Sequence, residues 1–424
     1  MAQLRLRTAS PADTSAAALA PLQAAGPRRS VDRVLDRVEV FRRQCGRRLG
    51  AALLFGLGML ALAPDAVAQS RPDQVYVETR GNVAPVSGKL LRNDLDKVVI
   101  EQGGREREFE TSRVVRVVLG RVPATYAEAA AMLSRGEAVD AARGFAQAAS
   151  DSSASDVVRA SARLRAAEAL FAAGAKDAGR LAEAADGARR FLDDYPQNRE
   201  VPNGRLLEAR AKRLAGDAKG ALVLFRSLHG EANGSTVAAG YDPVLVYTAG
   251  LEGAHAALEA SDVAAARELF GALEQQLAGA LATAETGSEL ARDLTSLQVS
   301  TQLGEGYILL SEGRAPQALA FFRGQHSSAG DSDAMRHRSG LGLGLALFAT
   351  NDLRAAQLEF ARYAAVGIDD PEGHARALLG AAQAALGLGD TDGREQARAW
   401  LTAIVDSPRP SIASQKAQDL LRSL

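Results

Sequence analysis

From residue 124 to the end of the chain, apolar positions recur every three or four residues, the mark of helices with one buried stripe. Within that stretch a single arrangement returns. "NDLRAAQLEFARY" places Asn351 five residues before Ala356, with Phe360 four further on and Tyr363 three beyond. "GEAVDAARGFAQA" gives Gly136, Ala141, Phe145 and Ala148, and "GDAKGALVLFRSL" gives Gly216, Ala221, Phe225 and Leu228. "SDVAAARELFGAL" gives Ser261, Ala266, Phe270 and Leu273, and "GRAPQALAFFRGQ" gives Gly313, Ala318 and Phe322. Each predicts a turn, then a helix whose buried stripe carries an alanine and, one turn later, an aromatic. A degenerate copy holds Ala184, Ala188, Phe191 and Tyr195-Pro196, and a last one holds Ala397, Leu401, Ile404 and Pro408. Twelve residues before four of the alanines stand Ala209, Ala254, Gly306 and Gly344, small residues that place a first helix against the second.

Ahead of this array the period changes from helical to alternating. "QVYVETR", "SGKLLR", "DKVVIEQ", "REREFE" and "RVVRVV" read as five short strands over residues 72–121, with Asn93-Asp94 and Gly103-Gly104 as turns. The pattern predicts a small antiparallel β-barrel-like (SH3-like or Sm-like) domain. An RNA-binding role for it is disfavoured, because aromatics and lysines are not interleaved along the strands. A capping or docking module at the start of the array is the expectation. Further upstream, arginines precede an apolar run from Leu49 to Ala63, followed by Pro64-Asp65 and Ala66-Val67-Ala68. That order is the one of a secretory signal peptide cleaved after Ala68. An apolar run of this length is shorter than the roughly 20 residues that span a bilayer. Residues 1–40 exceed an ordinary n-region, which points to a start codon placed too far upstream. The expected organisation is extension and signal peptide over 1–68, a small β domain over 72–121, and about seven helix pairs over 124–424.

The five Gly/Ser/Asn–Ala–Phe sets and their first-helix partners resemble the tetratricopeptide repeat (TPR). That unit has about 34 residues in two antiparallel helices, with small residues at the tightest contact, an aromatic on the second helix and often a closing proline. The likeness covers about 300 residues, residues 124–424. The chain departs from the family in its spacing. Alanines 141, 221, 266, 318 and 356 are 80, 45, 52 and 38 residues apart, the first gap spanning the degenerate copy. The consensus tryptophan is missing, and the lone Trp400 lies near the end. The resemblance implies a mainly α fold, a solenoid of stacked pairs whose concave face, lined by first helices, binds extended or helical peptides. On that register the polar candidates for a partner-binding groove are Arg210, Arg213, His255, Tyr307 and Arg338.

Composition narrows the chemistry. The chain is 47% hydrophobic but only 5% aromatic, so it packs through alanine, the best helix former. Residues 1–68 hold 10 Arg and 5 Asp/Glu; the remaining 40 Lys/Arg and 46 Asp/Glu give the body a net charge of −6. A mildly acidic body excludes a dedicated nucleic-acid binder. The one cysteine, Cys45, lies upstream of the expected cleavage point, so disulfides, thiolate metal sites and a cysteine nucleophile are not expected. Five histidines show no metal-binding spacing, with His229 and His326 read as lying in polar loops. "GLGLGLALF" from Gly340 is not preceded by a strand and reads as close helix packing rather than a nucleotide loop. No catalytic, cofactor or metal residues are therefore expected.

The sequence points to an exported, non-enzymatic scaffold or adaptor of the bacterial cell envelope, without cofactor, with a protein or peptide partner and no nucleic acid. Two alternatives stay open. One keeps the leader as an inner-membrane anchor, the only case in which a membrane is a partner. The other is a carbohydrate- or cell-wall-binding protein or enzyme that uses the β domain.

Overall fold

The computed structural model describes residues 71–79, 82–328, 333–366, 370–389 and 391–424. The leader expected at 42–69, with its cleavage point, lies outside them. No described helix is long and apolar enough to cross a membrane.

Five strands come first: β1 (Asp73–Thr79), β2 (Asn82–Asn93), β3 (Lys97–Gln102), β4 (Arg105–Glu110) and β5 (Val114–Val118). They form one antiparallel sheet in the order β4-β3-β2-β1-β5. Among the described residues β4 and β5 are its two edges and do not pair, so what forms is a sheet rather than a closed barrel. β2 is longer than its alternation predicts. Pro85, upstream of the expected "SGKLLR" strand, lies within β2 and faces Tyr76 where β2 pairs with β1, ahead of the β3 partners that begin at Lys89. A proline is tolerated where one strand edge is free. Gly88 is required where β2 crosses β3, since a Cβ there would lie 2.1 Å from the Glu101 carbonyl oxygen.

The buried face of the sheet, Val75, Val77, Leu90, Val98, Ile100 and Val114, packs against Val157 of the helical array. The corner after β2 is hooked into the array by backbone bonds. Leu95 N–H donates to the Gln197 carbonyl at 2.8 Å, and Arg199 N–H donates to the Asn93 carbonyl at 2.9 Å. Asp73 fastens the other end, accepting from Leu90 N–H at 2.8 Å and Gly120 N–H at 2.8 Å.

The helices follow in hairpins: α1 (Ala124–Ser134) with α2 (Ala138–Ala149), α3 (Asp156–Ala173) with α4 (Gly179–Asp194), and α5 (Val201–Leu214) with α6 (Ala218–His229). Next come α7 (Pro243–Glu259) with α8 (Val263–Thr283), then α9 (Glu289–Gln302) and α10 (Gly304–Ser311) with α11 (Ala315–Ser328). The last hairpins are α12 (Asp333–Ala349) with α13 (Leu353–Val366) and α14 (Pro371–Leu388) with α15 (Thr391–Val405), and α16 (Ile412–Ser423) closes the array. The wide alanine spacings have physical causes. A two-residue-stranded hairpin, β6 (Ala232–Asn233) and β7 (Thr236–Val237), fills the connection before α7. α8 runs on to Thr283, and α9 is an added helix in front of α10.

The repeat pattern is a packing pattern. Ala141, Ala221, Ala266, Ala318 and Ala356 have no exposed surface, and Phe145, Phe225, Phe270, Phe322 and Phe360 are at most 6% exposed. The residue five before each alanine is the left-handed end of the first helix. Gly136, Gly216 and Gly313 have φ of 81°, 90° and 73°, and Ser261 and Asn351 have φ of 61° and 62°. After each, the next N–H reaches back five residues, as from Asp217 to the Lys212 carbonyl at 2.9 Å and from Asp352 to the Leu347 carbonyl at 2.9 Å. This is the Schellman ending, which satisfies helix-terminal carbonyls and turns the chain into the second helix. Asp217 and Asp262 then cap that helix, accepting from Gly220 N–H at 2.8 Å and Ala265 N–H at 3.0 Å.

Serine has no local reason to adopt this conformation. Ser261→Gly is expected to stabilise the chain by about 0.5–1 kcal/mol, the left-handed penalty less the extra freedom of unfolded glycine. Ser261→Val should destabilise it by more than that gain, because a β-branched residue fits the left-handed region worst. Urea denaturation of both variants checks the order.

Candidate functional site: the concave groove

Residues from the first helices of six successive pairs, from α3 to α14, line one cavity of about 590 Å³. Arg210 and Arg213 come from α5, His255 from α7, Tyr307 from α10 and Arg338 from α12. These five are the candidates of the sequence register, and the structure brings all of them onto the same cavity. It adds groups the register did not reach: Glu252, Asp370, Glu372 and Arg376, and the segment Pro408–Pro410. The array therefore curls far enough for the seventh hairpin and the loop behind it to face the third.

Two arginines are tied to the neighbouring pair. Arg210 donates from Nε and Nη2 to Glu252, the latter at 2.6 Å, and Arg213 donates from Nη2 to Glu259 at 2.6 Å. Arg213 is only 9% exposed and also lies 3.9 Å from Glu252. Arg338 is held differently. Its Nη1 donates to the Ser300 hydroxyl and its Nη2 to the Ser296 hydroxyl at 2.5 Å, both neutral oxygens of α9.

Aromatic rings form the floor between these arginines. His255 meets Tyr307 edge-on at 5.3 Å, and Tyr307 meets Phe322 at 5.4 Å. Tyr363 donates its hydroxyl to Asp370 at 2.8 Å. Burial raises the pKa of both tyrosine hydroxyls, so they stay protonated donors. Burial, reinforced by Arg213 and Arg376, pushes His255 down to about 3. Glu372 is raised by burial against the pull of Arg376 and Arg213. The site is thus a fixed set of donors on an aromatic floor, with one buried carboxyl, Glu372, shifted toward its neutral form.

His255 makes stability pH-dependent with a definite sign. The folded chain keeps the imidazole neutral while the unfolded chain protonates it near the ordinary value of about 6.5. Its contribution is therefore present above that pH and drains away as pH falls toward 3, where the folded state also takes up the proton. Glu372 and Glu208, raised by burial, act in the opposite direction. The expected result is that His255→Phe loses part of the acid-side fall in stability between pH 7 and 5, read by urea denaturation against the unmodified chain.

Two readings of histidines need correction. His229 is not in a polar loop but in the last turn of α6, 7% exposed and pressed against Gly250 of α7. His326 lies within α11, its ring 3.3 Å from the Ser339 hydroxyl. Both helices run on through sequence that is polar enough to look like a connection. Gly342 and Gly344 of the "GLGLGLALF" run lie on α12, where a Cβ would come within 2.1 Å of Phe322 and 2.7 Å of Phe360, respectively. They are packing glycines.

A second cavity of about 480 Å³ lies between the sheet and the start of α3. Lys89 and Arg121 line it, and three of its other polar groups are committed to the fold. Asp73 serves backbone amides, Asp151 accepts from Ser153, and Ser155 caps α3. Among the described residues no group of three or more His, Cys, Asp or Glu could hold a metal ion.

No family model matches the chain, and no curated protein matches it. Among solved structures it is similar to a tetratricopeptide repeat protein from Parabacteroides merdae ATCC 43184. Identity is 13% and the TM-score 0.43, over 70% of this chain and 96% of that one. On its own geometry, the same buried alanine, the same aromatic and the same left-handed turn in five copies, the chain is a mainly α solenoid of tetratricopeptide-like helix pairs preceded by a five-stranded antiparallel sheet.

Proposed function

We propose that this chain is a non-enzymatic scaffold of the bacterial cell envelope, exported by its leader, that holds an extended peptide of a partner protein in the concave groove. The observation that carries the reading is convergence. Five residues chosen only by repeat register line a single cavity with an aromatic floor and fixed donors. Arginine and tyrosine at the centre of such a surface are the side chains that anchor protein partners. A cavity of about 590 Å³ takes a few residues of an extended chain, not a folded domain.

Affinity capture from envelope extract with the full chain tests it. A protein partner retained by the chain and lost with Thr248→Trp, which fills the cavity, supports the reading. Recovery of a glycan in its place would sink it. N-terminal sequencing of the protein purified from its cell tests export. The expected first residue is Gln69, and a chain that keeps Leu49–Ala63 would make it the membrane-anchored form.

A further inference from the structure

We propose that the segment held in the groove is acidic, its carboxylates met by Arg338 and Arg376. This rests on the peptide-groove reading and adds the chemistry of the occupant.

The first observation is a break in a ladder. Between neighbouring pairs, arginines elsewhere find a carboxylate on the next pair: Arg210 with Glu252, Arg213 with Glu259, Arg226 with Glu268, and Arg267 with Glu305. Arg338 spans the same kind of gap and meets two serine hydroxyls. The hydroxyls fix the guanidinium without neutralising it. Two of its five N–H donors are used there, which leaves three for a ligand. Arg376 makes no ion pair among the described residues, nor does Arg409 on the loop beside it.

The second observation is the sign of the lining. Five arginines (210, 213, 338, 376 and 409) stand against Glu252, Asp370 and Glu372, an excess of two positive charges. Counting Glu259, which pairs with Arg213 from beside the cavity, still leaves an excess of one. The body as a whole carries the opposite sign, 40 basic against 46 acidic residues after residue 68. Two acids of the groove are held by the fold, Glu252 by Arg210 and Asp370 by the Tyr363 hydroxyl and Gly373 N–H at the start of α14. Glu372 accepts from Ile412 N–H through Oε2 alone; its buried Oε1 has no hydrogen-bond partner, and it lies in the field of Arg376. A small cationic excess inside an acidic body matches a few carboxylates on a peptide. It does not match a polyanion, which the net negative charge of the body would repel.

The test is fluorescence polarisation with the full chain at low salt. The probes are a short alanine-based peptide carrying glutamates, its glutamine counterpart, duplex DNA, and anionic phospholipid vesicles. The expected result is binding of the glutamate peptide about tenfold tighter than the glutamine one, weakened several-fold by salt. Arg338→Gln and Arg376→Gln should each remove most of that preference, while Arg226→Gln on a second helix leaves it intact. Circular dichroism melting confirms that the variants fold. Equal affinity for both peptides, still blocked by Thr248→Trp, would overturn the acidic occupant and keep the groove. Absence of any peptide binding sensitive to Thr248→Trp would overturn the groove reading itself. DNA or vesicle binding that depends on Arg338 would replace the peptide with a phosphate-bearing partner.

Discussion

Phe360→Ala is expected to cost about 3–5 kcal/mol and to split the unfolding of the array into two steps. The ring has no exposed surface and stands where α12, α13 and α14 meet. Its two flanks are glycines, Gly344 on α12 and Gly380 on α14, where a Cβ would lie 2.7 Å and 2.6 Å from ring atoms. Glycine flanks have no side chain that could swing into the space, so the cavity left behind stays open and the full cost is felt. In a stacked array each unit is held by its neighbours, so weakening one interface uncouples what lies beyond it. Hydrogen exchange should show α14–α16 losing protection before the rest, and urea unfolding should become biphasic. A single transition shifted by less than about 1 kcal/mol would mean that Phe360 is not the joint between these pairs.

Arg213→Met is expected to cost about 2–3 kcal/mol, the low side of what breaking a buried pair costs, because Glu259 still reaches solvent. The substitution keeps most of the apolar stem and removes the cation. Glu259, beside the cavity, then loses its partner, while Glu252 keeps Arg210. Arg213→Lys, which keeps a cation in the same gap, should recover part of that loss in urea denaturation. An equal loss in both variants would assign it to packing alone.

Much of this fold is legible in the sequence because its constraints are local. A small residue, an aromatic one turn later and a left-handed residue at the preceding helix end are each dictated by contacts within one hairpin. That is why Ala356, Phe360 and Asn351 announce their roles without the rest of the chain. The lengths of the connections are not local. The polar stretch before α7 hides the β6–β7 hairpin, and His229 and His326 look like loop residues because helix ends tolerate polar sequence. Pro85 conceals half of β2, since whether a proline breaks a strand depends on which edge is free.

The groove was half legible for the same reason. Arg210, Arg213, His255, Tyr307 and Arg338 follow from which helix of a pair faces inward. Arg376 and Arg409 do not, because the last pair carries Leu401 and Ile404 in place of the aromatic and its register is blurred. Nothing in one repeat reveals how far the superhelix curls, and it is that curl which carries Pro408–Pro410 round to face Arg213.

The central claim, that a partner's peptide lies in the concave groove, is most directly tested by site-specific photocrosslinking in the native cell envelope. A photoreactive residue is placed at Thr248 inside the groove, or at Val223, which is 66% exposed on second helix α6. Crosslinks to a partner peptide from position 248, absent from position 223 and lost with Arg338→Gln, are the predicted result. Crosslinks from position 223 with none from position 248 would contradict the account.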